Sequence, residues 1–244
     1  MDLESEQAMD LQTILLIKKD YGVSFIQRIN SNNLKKLLKV YFIMGSMNCR
    51  KPPDEVLTEA IAGGITMFQF REKGQGSLTG CDRFDLARKL QNICRAHEIP
   101  FIVNDDINLA IALDADGIHV GQDDEPAQSI RNQIGENKIV GVSAHTLREA
   151  QQAIADGADY LGIGPIYPTT SKDDARAVQG TPILQELRNA GLLIPMVGIG
   201  GITQQNAAHV LSAGADGISV ISAIATAENI TETVKGFVRV AGGI

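Results

Sequence analysis

The residues best suited to chemistry follow short apolar runs, first of all in the segment Gln69-Phe-Arg-Glu-Lys73. Side chains alternate along a β-strand, so Gln69, Arg71 and Lys73 are expected to share one face. An amide and two cations on one face suit a diphosphate, since Arg offers a planar fork and Lys a point charge. A salt-bridge ladder on a surface strand is the alternative. We favour the diphosphate because two cations that face inward need an anion.

Two pairs of carboxylates, Asp105-Asp106 and Asp123-Asp124, follow the next two apolar runs. Neighbouring strands lie about 5 Å apart, so one member of each pair can face a member of the other. Carboxylate oxygens suit Mg²⁺, and a metal beside the two cations would help to bind a diphosphate. Each pair also precedes a predicted helix. We expect Asp106 to cap its helix and Asp105 to be the ligand.

A serine and a histidine, Ser143 and His145, follow a later apolar run. The pair suggests a nucleophile, but no third partner is evident, so we reject a catalytic triad. We expect Ser143 to form a hydrogen bond with a substrate and His145 to begin a helix. We expect His97, His119 and His209 to be structural.

The longest predicted loop spans residues 164–180. Its hydroxyl and cationic side chains are Thr169, Thr170, Ser171, Lys172 and Arg176. Loops of this length are usually functional or disordered. We expect a lid that touches a phosphate, and a flexible surface loop is the alternative.

A glycine pair, Gly200-Gly201, ends another apolar run. Such a turn exposes backbone N–H groups that can hold a phosphate, although the glycines could serve only a tight turn. We expect Thr203 to cap the helix that follows.

The elements that would position these residues recur as one unit, a short strand followed by an amphipathic helix. Predicted strands are 39–44, 65–70, 100–104, 117–120, 139–143, 159–164, 195–199 and 217–221. Predicted helices are 53–62, 82–97, 106–113, 126–134, 147–156, 181–190, 204–213 and 228–240. Eight such units predict an α/β fold, the (β/α)8 TIM barrel, whose sites lie at the carboxyl ends of the strands. A doubly wound open sheet is less favoured because no GxGxxG follows the first strand.

The domain organisation is expected to be simple. Residues 31–244 should form one barrel domain, because no stretch within them resembles a linker. Residues 1–30 should form an N-terminal extension, in which residues 11–17 could be a short amphipathic helix.

The composition excludes several classes of protein. The chain has 244 residues, of which 44% are hydrophobic, and a net charge of −7. That charge argues against non-specific nucleic-acid binding. Three scattered cysteines suggest neither a disulfide framework nor a metal site, and no apolar run is long enough to span a membrane. The acidic N-terminus does not resemble a signal peptide, so we expect a cytoplasmic protein with small-molecule partners.

From about Val40 to Ala241 the sequence resembles the thiamine-phosphate synthases. The matching segments are YFIMG, QFREK, PFIVNDD, ADGIHVGQDD, GVSAHT, GPIYPT, RAVQG, VGIGGI and ADGISVISAI. The resemblance implies a (β/α)8 barrel transferase that joins hydroxymethylpyrimidine diphosphate to a thiazole phosphate or its carboxylated form. The products would be thiamine phosphate and pyrophosphate. It also implies a dissociative substitution, in which pyrophosphate leaves before the thiazole nitrogen attacks.

The resemblance also implies the roles of individual residues. The pyrimidine diphosphate contacts would be Gln69, Arg71, Lys73, Asn104, Ser143 and Lys172. Of these, Arg71, Lys73, Ser143 and Lys172 would be catalytic. One Mg²⁺ per subunit would be held by Asp105 and Asp124. The thiazole phosphate contacts would be Thr169, Ser171, Gly201, Ile221 and Ser222. The family usually has Thr at the position of Ser171, which keeps a hydroxyl.

Three rival functions remain. A thiazole tautomerase of the same barrel type would keep the phosphate cradle but lack the carboxylates, and both Asp105 and Asp124 are present. An isomerase on another phosphate-binding barrel would not need a diphosphate site. A non-catalytic regulator that binds thiamine intermediates would tolerate the loss of charged site residues, and none is lost.

Overall fold

Eight parallel strands, paired in sequence order, close a barrel in the computed structural model, which describes residues 28–171 and 176–242. The strands are β1 (Val40–Met44), β2 (Met67–Phe70), β3 (Phe101–Asn104), β4 (Gly117–Val120), β5 (Ile139–Ala144), β6 (Tyr160–Ile163), β7 (Met196–Ile199) and β8 (Gly217–Val220). The barrel closes where β8 pairs with β1. The predicted (β/α)8 architecture is therefore confirmed, with strand ends that differ from the prediction by one or two residues.

In the described part of the chain, one helix precedes the first strand, seven helices connect successive strands, and two helices follow the last strand. They are α1 (Ser31–Leu37), α2 (Pro53–Gly63), α3 (Gly80–Ala96), α4 (Ile107–Ala112), α5 (Ala127–Ile134), α6 (Leu147–Ala155), α7 (Pro182–Asn189), α8 (Ala207–Ser212), α9 (Ser222–Ala225) and α10 (Ile230–Val240). The short helix α9 was not predicted, because four residues are too few to show a period. The possible helix at residues 11–17 lies outside the described residues.

Two apolar layers hold the barrel together. Alternation along β1 sends Tyr41 and Ile43 into the barrel interior, whereas Phe42 and Met44 pack between the strands and the outer helices. Both faces of each strand are therefore covered. This explains why the strands appear in the sequence as continuous apolar runs.

The recurring Ala-Asp turns before the strands have a common structural role. Each aspartate carboxylate accepts a hydrogen bond from the backbone N–H that opens a neighbouring strand. The pairs are Asp116 with Phe101 (2.9 Å), Asp159 with Val140 (2.8 Å) and Asp216 with Met196 (2.9 Å). The repeated sequence thus stabilises the end of the barrel opposite the strands' carboxyl ends.

The prediction that Thr203 caps the helix after β7 was wrong. That helix, α8, begins only at Ala207, and its N-cap residue is Asn206. The Asn206 side chain instead accepts a hydrogen bond from the Thr203 N–H (2.8 Å), which stabilises the intervening turn.

The described ranges contain no helix with both the length and the apolar character needed to cross a membrane.

Candidate active site

A cavity of about 240 Å³ opens at the carboxyl ends of the strands. Seven of the predicted site residues line it, namely Arg71, Lys73, Asn104, Asp105, Asp124, Ser143 and Thr169. The barrel therefore brings together residues that are separated by almost 100 positions in the sequence.

The polar face after β2 points into the barrel, as predicted. Gln69 and Arg71 are buried, and Phe68 and Phe70 lie in the outer apolar layer. Gln69 donates a hydrogen bond from Nε2 to the Tyr41 hydroxyl (2.7 Å). Lys73, at the rim, pairs through Nζ with Asp105 Oδ2 (2.8 Å). The burial of Arg71 excludes a surface ladder at this position.

Asp105 and Asp124 are the carboxylates that come together. Burial raises the pKa of the Asp105 carboxyl above its usual value, the charge of Asp124 raises it further, and the bond from Lys73 opposes both effects. Asp106 caps α4 instead, because its carboxylate accepts from the Leu109 N–H (2.9 Å). Asp123 also lines the cavity, but its carboxylate is exposed and pairs with Arg176 (3.2 Å).

The backbone at Asp105 aims its side chain at the cavity. Asp105 has a φ of 61°, in the left-handed region that Asp and Asn tolerate better than most residues. Its N–H donates to the His119 carbonyl on β4 (2.9 Å), which continues the sheet one residue beyond β3. The turn is therefore held by β4, the strand that leads to Asp124.

The raised pKa of Asp105 predicts how the stability of the metal-free protein depends on pH. The folded state binds this proton more tightly than the unfolded state. The resulting stabilisation is complete below the unfolded pKa, about 4, and is lost as the pH rises through the folded pKa. The variant Asp105→Asn, which cannot ionise, should raise the melting temperature at neutral pH in a chelator. Calorimetry at acidic and neutral pH checks this, and a lower melting temperature of the variant at neutral pH would contradict it.

Ser143 contacts His119, a histidine that we expected to be structural. Ser143 Oγ lies 2.9 Å from His119 Nε2, whereas His145 bonds to Glu149 through its backbone N–H (2.6 Å). His119 lines the cavity, so the expectation that it is purely structural was incomplete. The alternation along β4 could have predicted the position of His119. Ile118 and Val120 face the outer layer, so His119, which lies between them, faces the barrel interior.

A second group of predicted residues lies where β6, β7 and β8 end. Gly200 and Gly201 have φ values of 97° and 61°, which an L side chain rarely adopts. Helix α9 begins at Ser222, directly after its N-cap residue Ile221. The Ser222 hydroxyl lies 2.9 Å from the Ser171 hydroxyl. Gly200 lines the cavity together with Thr169. Lys172 lies outside the described residues.

A closed parallel barrel with cations and carboxylates at the carboxyl ends of its strands defines the (β/α)8 barrel class, whose enzymes carry their active sites at that end. A family model described as thiamine monophosphate synthase matches residues 40–224. The chain belongs to this family.

Two curated relatives and one solved structure agree with this assignment. A thiamine-phosphate synthase of Bacillus cereus (strain 03BB102) is 59% identical over 88% of this chain and 97% of its own length. A thiamine-phosphate synthase of Geobacillus kaustophilus (strain HTA426) is 61% identical over 82% of this chain and 90% of its own length. The structure of a thiamine phosphate pyrophosphorylase from Pyrococcus furiosus superposes with a TM-score of 0.77 at 36% identity, covering 86% of this chain and 98% of that one.

Proposed function

We propose that this chain is a thiamine-phosphate synthase that condenses hydroxymethylpyrimidine diphosphate with a thiazole phosphate, or its carboxylated form, and releases pyrophosphate. Membership of the family makes it a transferase that forms thiamine phosphate. The proposed substrates and the release of pyrophosphate are best supported by one observation. A single cavity is lined by Arg71, Lys73, Asp105 and Asp124. Cations beside carboxylates suit a diphosphate that is bound together with a divalent metal.

The residues fit Mg²⁺ as a partner of the substrate. Among the described residues, no group of three or more His, Cys, Asp and Glu side chains could hold a metal by itself. Mg²⁺ commonly takes one or two carboxylates and completes its shell with water and substrate phosphates. We infer that Asp105 and Asp124 would supply those carboxylates. The bound ion would offset the charge that develops on the departing pyrophosphate.

The chain's own side chains account for the remaining demands of a dissociative substitution. Arg71 and Lys73 would bind the diphosphate oxygens, and the burial of Arg71 strengthens its electrostatic interaction. Asn104 and Ser143, which also line the cavity, would orient the pyrimidine. Gln69, which is buried beneath the cavity, keeps its proposed role in pyrimidine binding on the family resemblance alone. Lys172 keeps its proposed role in diphosphate binding on the family resemblance alone.

The second anion site would hold the thiazole phosphate. The N–H groups of Gly201, Ile221 and Ser222, with the hydroxyls of Thr169 and Ser171, would surround it where β7 and β8 end. Two anchored phosphates would hold the two rings face to face. Much of the entropic cost of bringing two reactants together would then be met when the substrates bind, before the reaction itself.

The conservative substitution Ser171→Thr should be nearly silent. Thr keeps the hydroxyl that reaches Ser222, and Ser171 is only partly buried. We expect the KM for thiazole phosphate to change by less than about threefold, since no hydrogen bond is lost. Steady-state kinetics check this. A large loss would mean that the 164–180 loop fits its substrate more tightly than this account requires.

The proposed function is tested by product analysis. With both substrates and Mg²⁺, the protein should form thiamine phosphate and pyrophosphate in equal amounts, and omission of either substrate should abolish both products. Conversion of thiazole phosphate alone to an isomer would instead favour the tautomerase. Tight binding without turnover would favour the regulator. We infer a cytoplasmic site of action, which the scattered, unpaired cysteines support.

A further inference from the structure

A continuous line of hydrogen bonds crosses the barrel interior beneath the cavity. It runs from Gln69 Nε2 to the Tyr41 hydroxyl (2.7 Å) and from there to the Tyr160 hydroxyl (2.8 Å). It continues from Tyr160 to His119 Nδ1 (3.0 Å) and from His119 Nε2 to Ser143 Oγ (2.9 Å). We call these five residues the interior network. It ends at a residue that lines the cavity.

The two tyrosines of the interior network keep their protons. Tyr41 is 1% and Tyr160 0% exposed, and burial raises the pKa of both phenols. A buried hydroxyl proton without an acceptor destabilises the folded state. Each of the two phenol O–H groups must therefore donate a hydrogen bond to a neighbouring group of the interior network.

The orientation of the Gln69 amide, with Nε2 towards Tyr41, sets one direction of donation for the whole line. The Gln69 amide nitrogen can only donate, so the Tyr41 oxygen accepts. The described residues offer the Tyr41 proton no acceptor besides Tyr160, so Tyr41 donates there. The Tyr160 proton then goes to His119 Nδ1, which is at hydrogen-bond distance.

The tautomer of His119 follows from this direction. A neutral imidazole that accepts at Nδ1 carries its proton on Nε2. That proton is donated to Ser143 Oγ, so the Ser143 proton points away from His119. In the reverse direction, Ser143 would donate to His119, and the pair would resemble a serine with its general base.

We propose that the interior network holds His119 as the Nε2–H tautomer and thereby presents Ser143 as a hydroxyl whose proton is free for the substrate. Tyr41, Tyr160 and His119 are then positioning residues, which act through Ser143. His119 cannot take the Ser143 proton, because its Nε2 is already protonated. This inference rests on the proposed function only for the identity of the ligand, a pyrimidine whose ring nitrogens can accept that proton.

The first test measures the tautomer in the wild-type protein without substrate. Long-range ¹H–¹⁵N correlation spectra of ¹⁵N-histidine-labelled protein separate protonated from unprotonated ring nitrogens. The His119 signals are assigned by their loss in the variant His119→Gln. We expect Nε2 to be protonated and Nδ1 to be unprotonated, and a protonated Nδ1 with an unprotonated Nε2 would overturn the proposal. Because no turnover is measured, this result is independent of the proposed function.

The second test compares two variants that each remove one buried hydroxyl. Tyr160→Phe deprives His119 Nδ1 of its donor, whereas Tyr41→Phe leaves that bond intact. We expect Tyr160→Phe to shift the ¹⁵N signal of His119 Nδ1, which loses its hydrogen bond, and to lower kcat/KM for the pyrimidine diphosphate roughly three- to tenfold, the value of one hydrogen bond. The KM for thiazole phosphate should not change, since the interior network ends at the pyrimidine side of the cavity.

The matched variant Tyr41→Phe should keep the wild-type tautomer and lose less activity than Tyr160→Phe. Equal losses in the two variants, or equal effects on the KM values of both substrates, would indicate a general packing defect and overturn the proposal. A protein with the expected tautomer that releases no pyrophosphate would refute the proposed function and leave the assignment of the interior network intact.

Discussion

The variant Asp105→Asn should lose Mg²⁺-dependent turnover by about a thousandfold while keeping its fold, since a lost metal ligand removes several kcal/mol of charge stabilisation. Asn suits this position better than Ala, because it tolerates the φ of 61° at Asp105. It keeps the shape of the side chain and removes one of two paired carboxylates. Initial rates of pyrophosphate release at increasing Mg²⁺ concentrations measure the effect.

Asp106→Asn provides the matched control for this prediction. Asp106 is the next residue, but its carboxylate caps α4, and Asn caps helices as well as Asp does. Its ion pair with Arg83 lies away from the cavity lining and contributes little. We expect near-wild-type turnover. Unchanged Mg²⁺-dependent activity in Asp105→Asn, or an equal loss in both variants, would refute the assignment of the metal ligand.

The variant Gly201→Ala should raise the KM for thiazole phosphate by about a hundredfold, the value of one or two charge-assisted hydrogen bonds. An added Cβ would lie 2.5 Å from the Pro168 carbonyl oxygen and 2.8 Å from the Tyr167 Cβ. The turn must therefore move away from the 164–180 loop. Its N–H groups would then no longer converge on the phosphate. Steady-state kinetics with each substrate varied in turn measure the effect.

Gly191→Ala separates this steric effect from backbone strain. Gly191 also has a positive φ, 83°, but a Cβ there would meet no described atom within 4 Å. It lies in the turn before β7, at the opposite end of the barrel. We expect about 1 kcal/mol of lost stability and unchanged KM values. If Gly201→Ala behaves in the same way, the proposed phosphate cradle is wrong.

The fold could be predicted from the sequence because the strands appear as short apolar runs and most helices between them have an amphipathic period. The polar face of Gln69, Arg71 and Lys73 followed from strand alternation alone, and the structure buries Gln69 and Arg71 and leaves Lys73 at the rim. The sequence could not decide which aspartate of each pair faces the other. That choice depends on the left-handed turn at Asp105, on the helix cap formed by Asp106 and on the ion pair of Asp123 with Arg176.

The interior network shows why the rest of the site was not predictable. Tyr41, His119 and Tyr160 lie on β1, β4 and β6, and each appears in the sequence as an isolated polar group in an apolar run. Their hydrogen bonds exist only because the barrel closes and brings non-adjacent strands face to face. Helix α9 was missed for a different reason, because its four residues are too few to show a period.

The most direct test of the central claim is pyrophosphate release from the pyrimidine diphosphate and thiazole phosphate, with Mg²⁺ and with a chelator. We predict release only when both substrates and the metal are present, since one site binds the diphosphate with Mg²⁺ and the other binds the thiazole phosphate. Undiminished release in the chelator would contradict the role of Asp105 and Asp124. No release under any condition, together with tight binding of thiazole phosphate alone, would contradict the proposed reaction itself.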